Sequence, residues 1–333
     1  MKKPQLLFSG ALFLFVCFGL WIYFSFIPVV TQKEGVVYYL KPNTSKLILI
    51  SDLSKQGILS HSFLLSLYVY FKQAATLKTG EYYFKQGSSF ASIWEQMTTG
   101  TGFFYRSFTI VPGWSFKELR QKLNQVETIQ QLLPNLSDPM LMQQLGRPDL
   151  APEGEFFPET YYYTRDVSDL ILLKKAFLLM QNKLEAMWVM RASTLPYKNE
   201  YEALIAASLI EKEAYLQEER PLIAGVLINR LAKNMLLQFD PTVIYGMGDR
   251  YQGQISKKDL RENTLYNTYV HKGLPPTPIA MPSEASLFAA LHPKTSDYLY
   301  FVAKGEGGAH TFSETLSEHH QAVLKAKKFK MNH

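Results

Sequence analysis

The sequence has little of what several common functional sites require. It contains one cysteine, Cys17, so a disulfide within the chain is impossible and zinc sites of the Cys-x-x-Cys kind are excluded. Lys and Arg number 35 and Asp and Glu 29, which gives a net charge of +6 without any block of five or six consecutive basic residues. This spread of charge excludes a nucleic-acid footprint, so no nucleic acid is expected as a partner. The chemistry must come from carboxylates, histidines, hydroxyl groups and aromatic rings.

Charge is also missing from the N-terminal region. No charged residue lies between Lys3 and Lys33, and residues 6–27 are apolar apart from two serines and two glycines. Such a stretch is long enough to cross a bilayer, whereas a cleaved signal peptide has a shorter apolar core and a small-x-small site. We therefore predict an uncleaved single-pass anchor. Lys2 and Lys3 place the N-terminus in the cytoplasm by the positive-inside tendency, and the rest of the chain outside.

The length of 333 residues and an apolar content of 47% predict a folded protein of roughly two domains, and the strands and helices that its pattern indicates predict the α+β class. A pattern of strand, turn and capped helix occurs three times, with strands near residues 36–40, 81–84 and 108–111. In the third, Ser115 and Glu118 have the spacing of a capping box. A small α+β module between about residues 34 and 105 fits binding to an extended polymer, and a spacer domain fits the spacing equally well.

The chain becomes more helical after Gly100-Thr101-Gly102, where we place a boundary. Apolar periodicity predicts helices over residues 126–145 and 169–190. An irregular aromatic stretch between them contains Glu155 and Glu159, for which a structural role is favoured over a catalytic one.

A helix predicted from about Glu200 to Tyr215 carries two candidate acids. Glu213 shares the apolar face of Leu209 and Ile210, while Glu211 lies on a neighbouring face of small residues. Burial raises the pKa of a carboxyl group, so Glu213 is the better candidate for a general acid. A structural ion pair of Glu213 with a nearby Lys or Arg is an equally good interpretation of the helix alone.

The segments that follow are rich in amides, hydroxyls and aromatic rings and poor in charge. Rings stack on sugar faces and amides hydrogen-bond acetamido groups, so this composition fits a carbohydrate groove. The segments concerned are Asn229-Arg230-Leu231, Leu237 to Gly246, Leu265 to Tyr269, Gly273 to Ile279 and His310-Thr311-Phe312.

These motifs, together with Ile210-Glu211-Lys212-Glu213, resemble in identity and order those of the endolytic murein transglycosylase family, which is called YceG-like. The resemblance covers the whole layout and implies three parts. They are a cytoplasmic tip and transmembrane anchor (1–33), a LysM-like module (34–105) and a catalytic domain (106–333). It implies a single-pass protein of the cell inner membrane with its catalytic part in the periplasm.

The resemblance also implies a reaction. Members cleave the β-1,4 bond between N-acetylmuramic acid and N-acetylglucosamine within glycan strands, leave 1,6-anhydro ends and use no metal or cofactor. A role in terminating nascent strands and peptidoglycan synthases as partners are implied in the same way. Glu213 matches the catalytic glutamate. Residues that match substrate-binding motifs are Gln238, Asp240, Tyr266, Asn267, Tyr269 and His310.

Two alternatives remain open from the sequence. A muramidase would hydrolyse the same bond and would need a second carboxylate, Asp240 or Glu211, to hold a water. A membrane-tethered binding protein would use the module to hold the wall and the C-terminal domain to recruit synthesis enzymes. Replacing Glu213 with Gln separates an enzyme from a binding protein.

Overall fold

The computed structural model describes most of the chain. The described backbone covers residues 3–59, 62–71, 76–304 and 308–332, and side chains are not described for residues 3–10, 62, 71 and 330–332. Helices and small two-stranded sheets alternate along it, so the predicted α+β class is confirmed. The chain forms two compact units, the first made of Met1–Ser107 with Tyr162–Val167 and the second of Phe108–Tyr161 with Ser168–His333.

The first unit contains helix α1 (Lys3–Phe26) and a small α+β module. Among the described side chains, which in α1 begin at residue 11, no helix is long and apolar enough to cross a membrane. The module pairs two antiparallel strands, with Val36 opposite Phe84 and Leu40 opposite Gly80. Its elements are β1 (Val36–Leu40), α2 (Lys46–Lys55), α3 (Ser62–Phe71), β2 (Gly80–Phe84) and α4 (Phe90–Thr99).

Apolar side chains from both strands and from α2, α3 and α4 form one core in the first unit. Ser45 and Ser89 cap α2 and α4 by accepting backbone N–H groups, as expected where a strand is followed by a serine and an apolar run. The buried Glu81 carboxylate accepts hydrogen bonds from Arg106 Nε at 2.7 Å and Arg165 Nη1 at 2.9 Å. These two cations, with Arg106 foremost, hold the pKa of Glu81 below its usual range, so its charge is compensated inside the unit.

Strands β3 (Arg106–Thr109) and β4 (Thr160–Tyr163) each have residues in both units. The first three α-helices of the second unit are α5 (Phe116–Asn124), α6 (Asp138–Gln144) and α7 (Asp169–Val189). The capping box of Ser115 and Glu118 is confirmed at the start of α5. The helix predicted over residues 169–190 is also confirmed by α7.

The prediction of one helix over residues 126–145 is wrong in its first half. The structure has turns and a short 3-10 helix, Leu133–Asn135, before α6 begins at Asp138. Two prolines explain the break. Pro134 and Pro139 have no backbone N–H to donate, so each is tolerated in a first turn but not inside a continuous helix.

The rest of the second unit surrounds one central helix, α8. The elements are α8 (Glu200–Glu213), α9 (Arg220–Ala232), α10 (Asp240–Met247), α11 (Glu284–Leu291), β5 (Tyr300–Ala303), β6 (His310–Ser313) and α12 (Leu316–Asn332). Helices α7, α9, α10 and α11 all pack on α8. Residues 203–210 of α8 are buried on every side. Burial of each large aliphatic side chain there contributes roughly 1.5–3 kcal/mol, which fixes the end of the helix that carries the acids.

Candidate active site

Glu213, the last residue of α8, is the acid at the centre of the site. The helix ends there because Ala214 adopts an extended conformation, with φ −82° and ψ 106°. The Glu213 side chain is half-buried, and no described residue donates a hydrogen bond to its carboxylate. Burial raises the pKa of Glu213 to about 8, and the nearby charge of Asp240 adds to this shift. Glu213 is therefore mostly protonated at neutral pH, which is the state that a general acid requires.

Asp240 and Tyr269 lie beside this acid. Asp240 begins α10 and is exposed, and the Tyr269 hydroxyl donates a hydrogen bond to its Oδ1 at 2.5 Å. Burial, this hydrogen bond and the charges of Asp240 and Glu213 raise the pKa of Tyr269 well above its ordinary value. The phenol thus stays protonated and donating. The structure brings together these three residues, which the sequence places up to 56 positions apart.

Gln238 forms the turn that leads into α10. Its backbone is in the left-handed region, with φ 54°, which is uncommon for a residue with a side chain. The buried Arg230 holds this turn, because its guanidinium donates to the Leu237 carbonyl at 2.6 Å and to Gln238 Oε1 at 3.2 Å. Strained backbone of this kind persists only when its surroundings fix it, and it is concentrated at functional sites.

Tyr266 and Asn267 lie in the loop that also carries Tyr269. The Tyr266 ring meets Tyr245 edge-on at 4.7 Å between centroids, and its hydroxyl is 2.9 Å from Thr277 Oγ1. Asn267 is fully buried, and its amide donates to the Glu262 carbonyl at 2.7 Å while its oxygen accepts the Tyr269 N–H at 2.9 Å. The geometry favours Tyr266 as a lining residue and Asn267 as the residue that shapes the loop. A direct sugar contact by Asn267 stays a prediction.

His310 lies against the carboxylate of Glu219. Its Nδ1 lies 2.7 Å from Glu219 Oε2 and its backbone N–H donates to Glu219 Oε1 at 2.9 Å. The ring packs edge-on against Phe301 and also contacts Phe312. Among the described contacts the imidazole therefore orients Glu219, which precedes α9, and does not bond Glu213.

The other acid of the motif, Glu211, is already fully engaged. Its Oε2 accepts the Ser283 N–H at 2.9 Å, the Ser283 hydroxyl and the Ser286 hydroxyl at 2.7 Å. Its Oε1 lies 3.3 Å from Arg220 Nη2. Because Ser283 caps α11, Glu211 joins the end of α8 to the start of α11. This environment suits a structural carboxylate.

Sequence reasoning missed another carboxylate, Glu153. It is buried and accepts hydrogen bonds from the Phe116 N–H and the Tyr245 hydroxyl, each at 2.9 Å. Burial raises its pKa to about 7. Through Tyr245 it supports the ring of Tyr266, and the three side chains line one cavity of about 470 Å³. The only signal in the sequence is a glutamate in a Pro-Glu-Gly turn within apolar surroundings, which does not reveal a partner 92 residues away.

The arrangement around Glu213 indicates the class of the site. A half-buried, mostly protonated acid at the end of a buried helix, with an exposed carboxylate and a tyrosine beside it, has the groups that an acid–base catalytic site requires. Among the described residues no group of three or more His, Cys, Asp or Glu side chains could hold a metal ion.

Similarity to known proteins identifies the family of this chain. The profile of the YceG-like family matches residues 38–325, so the chain belongs to this family. The chain is 32% identical over 318 residues to the endolytic murein transglycosylase of Bacillus subtilis strain 168, covering 90% of this chain and 87% of that protein. It is 27% identical to the endolytic murein transglycosylase of Streptococcus pneumoniae D39, of whose length it spans 61%. A crystal structure of a yceG-like protein from Listeria monocytogenes matches 87% of this chain and 99% of that one, with 27% identity and a TM-score of 0.55.

Proposed function

We propose that this protein cleaves the β-1,4 bond between N-acetylmuramic acid and N-acetylglucosamine inside murein strands and leaves 1,6-anhydro ends. The chain is an enzyme of the lytic transglycosylase class, because it belongs to the YceG-like family and its relatives are named endolytic murein transglycosylases. The observation that carries the proposal is Glu213, a half-buried acid with a pKa of about 8 and no hydrogen-bond donor among the described residues.

Glu213 acts in both steps. As an acid it donates its proton to the glycosidic oxygen while the bond from that oxygen to the muramic C1 breaks, which releases the N-acetylglucosamine end with a new hydroxyl. As a carboxylate it then takes the proton of the muramic C6 hydroxyl while O6 bonds to C1. The proton returns to its starting place and no water is consumed, so one carboxylate suffices.

Asp240 is the residue that favours the alternative reaction, hydrolysis by a muramidase, and it also has a role in the proposed reaction. Its exposed carboxylate lies close enough to Glu213 to raise the pKa of that acid. In a muramidase the second carboxylate holds the attacking water or bonds to C1. In the proposed reaction the charge of Asp240 helps to keep the proton on Glu213. The hydrogen bond from Tyr269 keeps Asp240 in place for this role.

The remaining predicted residues take two kinds of role in the proposal. Gln238 and the tyrosines 266 and 269 line the site and contact sugar hydroxyl or acetamido groups. Asn267 and His310 position the backbone around the site. Asn267 makes hydrogen bonds within its loop, and His310 makes one with Glu219.

The place of action is also part of the proposal. Helix α1 has 24 residues, and at 1.5 Å per residue it is about as long as the apolar core of a bilayer is thick. The sequence has no charge between Lys3 and Lys33. We assign α1 as a single-pass anchor in the cytoplasmic membrane, with the catalytic unit on the outer side facing nascent strands and the synthases that make them.

A pair of matched variants tests the function. Glu213→Gln removes the proton at the site, while Glu218→Gln makes the same change at an exposed residue five positions later. We expect purified chain and the Glu218 variant to release soluble fragments from murein, and the Glu213 variant to release at least about a hundredfold less, the usual contribution of a general acid. Equal release by both variants refutes the assignment.

A further inference from the structure

A second cavity lies on the other side of α8 from Glu213. It has a volume of about 730 Å³, within the range of small-molecule sites. Glu211 lines it, and because two helical residues turn by about 200°, Glu211 and Glu213 point to opposite sides of the last turn of α8. Met187 and Phe288 form part of an apolar wall, and Arg220 and Gln217 supply polar groups. The proposed cleavage reaction uses none of these four side chains.

Arg220 lines this cavity and uses few of its hydrogen-bond donors. A guanidinium has five N–H donors, and the hydrogen bond recorded for Arg220 runs from Nη2 to Glu211 Oε1 at a long 3.3 Å. Its Nε is buried and has no hydrogen-bond partner, and Nη1 donates to none of the described residues. The side chain is only 14% exposed. The enclosed Nε cannot reach the cavity, whereas Nη1 and the second N–H of Nη2 are unused donors that a ligand there can meet.

The charges around Arg220 leave it available to an anion. Glu211 is compensated by the three hydrogen bonds from Ser283 and Ser286 described above. Glu284, at the rim, pairs with Lys183 at 2.8 Å. Helix α9 begins at Arg220 without a side-chain cap, so the positive end of its dipole is at the same place. An arginine with a free edge binds a carboxylate by two parallel hydrogen bonds.

We propose that this cavity binds the free carboxylate end of a short peptide, with Arg220 as its anchor and Met187 and Phe288 against its side chains. The inference rests on the proposed function, because murein strands carry short peptides on their muramic acid residues. A peptide of three to five residues spans roughly 10–18 Å, which is enough to pass around one helix from the cleaved sugar to Arg220. The cavity thus selects strands by their peptides.

Calorimetry on the full chain in detergent tests this directly. The probe is the diacetylated tripeptide Lys-D-Ala-D-Ala, and its C-terminal amide is the matched ligand. We expect the acid to bind about tenfold or more tightly than the amide, since one charged hydrogen-bonded pair distinguishes them. Arg220→Gln should remove this difference. Arg250→Gln should keep it, because Arg250 is 59% exposed and pairs with Glu262.

A second variant separates binding from folding. Arg220→Gln also removes a partner of Glu211, so its thermal unfolding is recorded beside it. Phe288 is 53% exposed, so Phe288→Ser should leave the fold intact and weaken acid and amide alike. Equal binding of acid and amide by unmodified chain, or binding of neither, overturns the inference and leaves Arg220 as a partner of Glu211 alone.

The two proposals fail in different experiments. Calorimetry requires no cleavage, so tripeptide binding by a chain that releases no murein fragments contradicts the proposed function only. Fragment release by a chain that does not bind the tripeptide contradicts the peptide site only.

Discussion

The raised pKa of Glu213 predicts how the reaction rate depends on pH. With an ordinary pKa of 4.5 about 0.3% of a glutamate is protonated at pH 7, whereas with a pKa of about 8 roughly 90% is, a gain of about 300-fold in the acid form. We therefore expect kcat/KM to stay nearly constant below pH 7 and to fall about tenfold per pH unit above 8. Because one group serves as acid and then as base, no rising limb at low pH is expected from a second carboxylate.

Asp240→Asn is the perturbation that connects this profile to the structure. The variant removes the charge that adds to the raised pKa of Glu213, so the falling limb should move to lower pH while burial keeps it above 4.5. The assay is initial fragment release from murein across pH 5–10, with Asp249→Asn as a control at an exposed aspartate that pairs with Lys117. A falling limb that stays in place in Asp240→Asn would refute the reasoning. So would a bell-shaped profile of the unmodified chain whose rising limb disappears in Asp240→Asn.

Three further predictions concern stability. The pKa of Glu213 is about 8 in the folded state and 4.5 in the unfolded state, so the free energy of unfolding falls as the pH rises between these values. Glu213→Gln should therefore stabilise the fold by up to about 3 kcal/mol at pH 7 and by nothing below pH 4. Urea unfolding beside Glu218→Gln measures this difference. Arg230→Met should destabilise by roughly 3 kcal/mol in the same assay, because it leaves the buried carbonyl of Leu237 and the partly buried carbonyl of Leu299 unpaired. Asn267→Ala should cost about 2 kcal/mol and loosen the loop, seen as faster amide exchange at Tyr269.

The position of the acid follows from local sequence. The apolar residues before Glu213 have helical spacing, and the expected helix from Glu200 to Tyr215 differs from α8 only at its last two residues. Desolvation of Glu213 follows from the face that it shares with Leu209 and Ile210. The helix expected over residues 126–145 is wrong in its first half because apolar spacing does not register Pro134 and Pro139, whose missing N–H groups break a helix.

The partners within the site could not be predicted, because they are far apart in the chain. Glu219 lies 91 residues from His310, and Glu153 lies 92 residues from Tyr245. Periodicity reports which face of a helix is apolar and says nothing about which distant polar group completes a hydrogen bond. The unused donors of Arg220 could not be predicted either, since they depend on how α8, α9 and α11 pack together.

The measurement that tests the account most directly is mass spectrometry of murein fragments released in water labelled with oxygen-18. If O6 of muramic acid attacks C1, as the single carboxylate of Glu213 requires, every new muramic end is 1,6-anhydro-N-acetylmuramic acid without label, and none forms with Glu213→Gln. New reducing ends that carry one labelled oxygen would show that water attacks C1, which contradicts the account and places Asp240 in a hydrolytic mechanism.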